Sequence, residues 1–169
     1  GWNSVKLYYM LGLPTETDED IIGIAQMADE VLHCWRMNAK YKNRGVKITI
    51  STSCFIPKPH SPFQWEAQIT PEEYLRRCAL LKSHLKGRNF QYNYHPSDLS
   101  MLEAALCRGD RKLCKVLLRA HELGCKMDGW TDYFSMEKWL QAFEECGVDP
   151  KWYAQREWGE DEIFPWETI

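Results

Sequence analysis

Glu16, Lys58, His60 and His95 are the side chains of this sequence whose types and settings suit chemistry. Glu16 follows a Gly12-Leu13-Pro14 turn, and a glycine there lets a ligand approach the backbone. A carboxylate in that place can accept hydrogen bonds from an amine or from ribose hydroxyls; it can equally be an acidic first-turn residue favoured by a helix dipole. Lys58 and His60 stand in FIPKPHSPFQW, where Pro57, Pro59 and Pro62 fix φ and stiffen the chain around Gln64 and Trp65. On so stiff a loop the two could act as acid, base or anion ligand, or be a solvated lysine and a structural histidine. His95 closes a short alternating segment. With Cys54 or Cys107 it could form a metal pair, although no spacing demands one.

The elements that must hold these residues follow from periodicity. Val46, Ile48, Ile50 and Thr52 alternate with Lys47, Thr49, Ser51 and Ser53, which predicts a strand with one apolar and one small, hydroxylic face. The near-continuous apolar run Val5–Leu11 predicts a strand buried on both faces, and Phe90–His95 a third strand. Thr17 with Asp20 reads as a capping box opening a helix whose apolar residues recur at three and four from Ile21 to Trp35. Thr70-Pro71-Glu72-Glu73 opens a second helix, to about Lys86, with Tyr74, Leu75, Cys78, Leu81 and Leu85 inward. Strands joined by such helices are parallel neighbours, and a rigid polar loop at a strand's C-terminal end is where α/β proteins place chemistry.

From Ser97 the pattern is helical: Leu99–Cys107, Asp110–Leu123 and Ser135–Cys146, with Asp110 and Ser135 as caps. Arg108-Gly109-Asp110 is predicted as a helix-to-helix corner. Residues 151–169 form an aromatic tail expected to be pinned back onto the body. Residues 1–96 thus read as a βαβαβ part and 97–169 as a helical extension.

A net charge of -3 and pI near 6.0 give no general basic field, so bulk binding of nucleic acid or anionic membrane is not indicated. No apolar run is long enough for a membrane span and no secretory signal is apparent, so a cytosolic setting is the default. The seven cysteines make neither a CxxC zinc ribbon nor a CxxxCxxC motif, and most fall on apolar helix faces expected to be buried. The motifs GxxxxGK[ST], GxGxxG and GxSxG are absent too.

YYMLGLPTET followed by a helix, then a strand running into FIPKPHSPFQW, resembles the C-terminal half of the radical S-adenosylmethionine domain. It is more narrowly similar to the subfamily in which a cobalamin-binding-type domain precedes that domain. LCRGDRKL, Met127-Asp128-Gly129-Trp130 and Phe164-Pro165-Trp166 extend the resemblance over essentially the whole chain. It implies an incomplete (β/α) barrel that binds an iron-sulfur cluster and S-adenosylmethionine at the C-terminal strand ends, and a radical that abstracts a substrate hydrogen. By that likeness Glu16 and Gly12 contact the cofactor, and the strand through Thr52, Ser53 and Phe55 runs alongside its adenine. Lys58, His60, Gln64, Trp65 and His95 would line the rim or meet substrate. Cobalamin is possible for the parent enzyme.

The resemblance carries one large departure, because the family's CxxxCxxC and early strands are missing. The chain is therefore expected to be a portion of a longer enzyme, by itself without a cluster and inactive. Its partner would be the N-terminal half of the barrel, or a second copy joined through the edge of strand 5–11. The alternative is a non-catalytic binding or scaffold module that presents the Pro-rich loop and the aromatic tail.

Overall fold

The computed structural model describes residues 2–130 and 132–167. It contains three strands, β1 (Ser4–Leu11), β2 (Lys47–Cys54) and β3 (Phe90–Tyr94), all parallel and in the order β1-β2-β3. Helix α1 (Asp18–Asn38) connects the first pair and α2 (Pro71–His84) the second. Helices α3 (Ser97–Cys107), α4 (Leu113–Glu122), α5 (Met136–Glu145) and α6 (Pro150–Ala154) follow. The chain is thus α/β with an open parallel sheet. No helix among the described residues is long and apolar enough to cross a membrane.

The chain divides into two units. Gly1–Phe55 with Ile69–Ser97 form the first, and Ile56–Gln68 with Asp98–Ile169 the second. The Pro-rich loop, grouped by sequence with residues 1–96, therefore belongs with the C-terminal helices. Backbone and side-chain bonds explain this: Gln68 N donates to Ala154 O (2.9 Å), and Gln68 Nε2 to Ser100 O (3.1 Å).

In the first unit the capping box is formed, with Thr17 N donating to Asp20 Oδ2 (2.8 Å) and Asp20 N to Thr17 Oγ1 (3.4 Å). Ile21, Ile24, Ala25, Ala28 and Leu32 of α1 pack with Ile48 and Ile50 of β2 and Tyr74, Cys78 and Leu81 of α2. Each large aliphatic buried here stabilises by roughly 1.5–3 kcal/mol. Leu75, expected inward, is 44% exposed, because it follows Tyr74 by one residue and so points about 100° away from it.

β1 differs from expectation in the same way. It is buried on one face only: Leu7, Tyr9 and Leu11 meet the core, while Tyr8 is 71% and Met10 46% exposed. Strand alternation sends neighbouring side chains to opposite faces, whatever their hydrophobicity.

In the second unit α3 ends at Cys107 and α4 begins at Leu113, with Arg108–Lys112 as the predicted corner. Asp110 is not the cap of α4. Lys112 holds that position without a side-chain bond, and Asp110 Oδ1 instead accepts from Lys112 N (2.8 Å) and from Tyr153 OH (3.0 Å). Leu102, Ala105, Val116, Trp139, Ala142 and Phe143 form the helical core. The tail is pinned within this unit: Phe164 stacks on Trp166 (4.6 Å, 10°), and Trp65 meets Phe164 edge-on (5.6 Å). Of the cysteines, Cys54, Cys78 and Cys125 are buried, fewer than expected, whereas Cys34 and Cys114 are exposed.

Candidate functional site

At the C-terminal mouth of β1 the chain curls around its own acid. Gly12 (φ 93°) and Thr15 (φ 65°) both take left-handed backbone, which folds residues 12–16 into a tight loop. Gly12 N donates to Glu16 Oε2 (2.7 Å), and Arg77 Nη1 of α2 donates to the same oxygen (2.5 Å). The Glu16 side chain is only 8% exposed and that of Arg77 14%. Both bonds fall on Oε2, which leaves Oε1 for a ligand. Gly12 is buried, and what approaches it most closely is Ile69, not open space.

Arg77 also donates to Glu73 Oε1 (2.8 Å), and Arg76 bridges Glu73 and Asp18 (2.7 Å each). Hydrogen bonds from Arg76 and then Arg77 hold the Glu73 carboxyl down at about 2. Arg156 does the same to Glu162 in the second unit, also to about 2. A carboxyl held this low in the folded chain is protonated first in the unfolded chain as the pH falls. Its contribution is complete above the ordinary value near 4.5 and is lost as the pH falls toward 2. Thermal midpoints measured from about pH 6 to about pH 2.5 are expected to drop below about pH 4.5. In Arg76→Gln and Arg156→Gln chains that drop should be shallower; an equal drop would refute the assignment.

The sheet has two unlike faces. On one, Thr52 is fully buried, its Oγ1 bonded to Tyr92 OH (2.8 Å), while Tyr74 OH donates to Thr52 O (3.4 Å). Burial first, and then the Cys78 thiol, push both phenols above their ordinary value. The side chain of Thr52 thus faces the helices. On the other face Lys6, Thr49 and Gln91 align across the strands, as do Tyr8, Ser51 and Asn93. Ser53 continues that row beside Met10. His95 follows β3 at the same end, its N–H donating to Thr52 O (3.1 Å), and Phe55 N donates to Leu11 O (2.8 Å). Both α1 and α2 pack on the first face, and the strand residues in their core, from Leu7 to Tyr92, share its parity. Ser53, His95 and the Glu16 loop therefore share the C-terminal rim of one sheet.

In the second unit the rim candidates of the Pro-rich loop are largely engaged. Lys58 Nζ pairs with Glu103 (2.5 Å), an exposed contact of small energetic weight. Gln64 Oε1 accepts from His60 N (3.0 Å) and from Trp166 Nε1 (3.0 Å), so it joins loop to tail. Trp65 O accepts from Trp158 N (2.8 Å), and its ring borders an open cleft of about 650 Å³ with Glu66, Glu157 and Glu160. His60, exposed at φ 58°, is held by its backbone rather than its ring.

The chain is 30% identical to an uncharacterized protein of Methanocaldococcus jannaschii, over 148 residues and 88% of its own length. It spans 31% of that relative. No protein-family model and no solved structure matches it.

Two residues central to this arrangement were not singled out from the sequence. Arg77 was hidden because an arginine four residues after Glu73 is an ordinary helix pair. Arg108 was placed in a corner, but nothing in the sequence marks it as fully buried. Among the described residues no three His, Cys, Asp or Glu side chains converge to hold a metal ion.

Proposed function

We propose that this chain is the C-terminal part of a radical S-adenosylmethionine domain, of the subfamily with a cobalamin-binding-type domain upstream. The observation that carries this reading is the sheet's second face, which neither helix of its own unit covers. Parallel sheets are almost always covered on both faces, and within the first unit α1 and α2 both pack on the apolar face. The other carries Thr49, Ser51, Ser53, Gln91 and Asn93 beside Lys6, Tyr8 and Met10, with Ser51 itself buried, a largely polar row of the kind that turns inward when a sheet closes into a barrel. The GLPTET turn at the strand mouth supports the same reading, and the short span against the archaeal relative fits a chain that is part of a longer protein.

In this proposal Glu16 Oε1 meets the cofactor, and the β2 backbone from Thr52 to Phe55 lies alongside the adenine. Ser53 and His95 lie on the same rim, and Lys58, His60, Gln64 and Trp65 are candidates for the substrate side. The residues of this chain do not fit an iron-sulfur cluster, since no thiolate triad exists among the described residues. Cluster ligation, radical generation and any cobalamin chemistry belong in this proposal to the longer enzyme. The exposed edge of β1 is where its preceding strands, or a second copy, would pair.

A second reading is a binding or scaffold module without cofactor, in which the Pro-rich loop is a surface held in shape by its own unit. Lys58, Gln64 and Trp65 already have partners in the second unit, so they serve its architecture. Titration calorimetry with S-adenosylmethionine separates the two. Saturable binding, weakened roughly 10-fold or more by Glu16→Ala, is expected for loss of a charged hydrogen bond. The absence of heat at millimolar ligand would exclude cofactor binding by this chain and leave the scaffold reading.

A further inference from the structure

We propose that the first unit carries a nucleotide-binding site at the end of the sheet opposite Glu16, for a planar base with phosphate attached. The place is a cavity of about 640 Å³ between the residues preceding β1 and the loop from Ala39 to Gly45 that leads from α1 into β2. Its size lies within the range of small-ligand sites. Trp2, Trp35 and Tyr41 line it together with Lys40, Arg44 and Asn43, and no carboxylate among the described residues does. Trp35 is partly buried against the core and gives a fixed floor, whereas Trp2 and Tyr41 are 87% and 79% exposed.

The charge along the segments that build it is one-signed. No aspartate or glutamate occurs between Glu30 and Glu66, nor between Glu73 and Asp98, although the chain as a whole carries -3. Asn89 Nδ2 donates to Val46 O (2.8 Å), which brings the turn bearing Lys86 and Arg88 to the same end of the sheet. The C-terminus of α1 also lies here and would repel an anion with about half a charge. Arg36, Lys40, Lys42 and Arg44 outweigh it. Cations alone would be explained by that dipole, but it does not account for exposed aromatic rings beside them. Rings for a base and guanidinium or ammonium groups for its phosphate are the shared chemistry of nucleotide and single-strand recognition. The site uses none of the Glu16 rim, so its failure and the failure of the radical-domain reading are distinguishable.

The test titrates the chain with AMP and with a fluorescein-labelled decaadenylate in about 50 mM salt, with inorganic triphosphate as competitor. Saturable binding with a dissociation constant of about 10⁻⁴ M or tighter is expected from at least one probe. Equal affinities per nucleotide would identify a mononucleotide site, and decaadenylate binding far tighter than AMP a single-strand site. Tyr41→Ala should weaken binding at least about 5-fold, as loss of one stacking ring does. Arg44→Glu should weaken it further and flatten its salt dependence. Both residues are exposed, so neither change should disturb the circular dichroism spectrum. The proposal is overturned by absence of saturable binding at millimolar AMP, by unchanged affinity in both variants, or by triphosphate competing as well as AMP.

Discussion

Arg108→Met is expected to destabilise the second unit by about 4 kcal/mol. The guanidinium is fully buried, and it donates from Nη1 to Ala154 O (3.2 Å) and from Nη2 to Gln64 O (3.3 Å) and Arg156 O (3.4 Å). The Trp158 ring lies 5.7 Å away. Burial brings its pKa down to about 10, so it remains a cation at neutral pH, with carbonyl dipoles and a π face in place of a carboxylate. Methionine would remove the cost of burying a charge, and where a whole ion pair is replaced that relief can dominate. Here the acceptors stay behind. Ala154 O keeps Gln68 N as a donor (2.9 Å), but Gln64 O and Arg156 O lose theirs at about 1–3 kcal/mol each, and together these outweigh the relief. Arg108→Lys should be only partly better, since one ammonium cannot span the fork that serves three oxygens. Urea unfolding followed by tryptophan fluorescence reads this unit, which holds Trp139, Trp158 and Trp166. A loss below about 1 kcal/mol for Arg108→Met would show that the carbonyls find other donors.

Gly12→Ala should cost the first unit about 3 kcal/mol. Two effects add. At φ 93° an L side chain is strained, by about 1–2 kcal/mol, and the new Cβ would lie 2.6 Å from Ile69 Cδ1 and 2.8 Å from Ile69 Cγ1. The terminal Cδ1 can turn aside by rotation about χ2, but Cγ1 moves only by rotation about χ1, which is stiff in a β-branched side chain, or with the Ile69 backbone. The same displacement would pull the Gly12 N–H from Glu16, so the S-adenosylmethionine affinity proposed above should fall with stability. Gly23→Ala is the matched control. It lies within α1 with nothing within 4 Å of the methyl it would add, and should stabilise by about 0.5–1 kcal/mol. Thermal unfolding followed by far-ultraviolet circular dichroism would rank the two. A neutral Gly12→Ala would mean that the loop relaxes freely and does not fix Glu16.

Local order was legible in the sequence wherever a short-range rule decides it. Thr17 and Asp20 are three residues apart, and their reciprocal bonds form as the spacing predicts. The parallel β1-β2-β3 order follows from helices of adequate length between strands. What was hidden depends on partners far along the chain. Glu16 is locked by a residue 61 positions later, and Gln64 by one 102 positions later. Asp110 has a residue type that suits a cap, yet Tyr153 holds it outside the helix. Tyr8 and Met10 misled for a different reason: apolar side chains on an open face look in sequence like a strand covered on both sides.

Arg108 also has a consequence for the order of events during synthesis. Its acceptors lie 44 residues before it, at Gln64, and 46 and 48 residues after it, at Ala154 and Arg156. A ribosome adding roughly 5–20 residues per second completes the strands several seconds before the last of these oxygens emerges. The loop carrying Lys58 and His60 leaves the ribosome between two elements of the sheet, but its shape waits on residues 154–166. Any chemistry resting on that loop therefore begins only after the tail has been made, which keeps a half-built chain from presenting it.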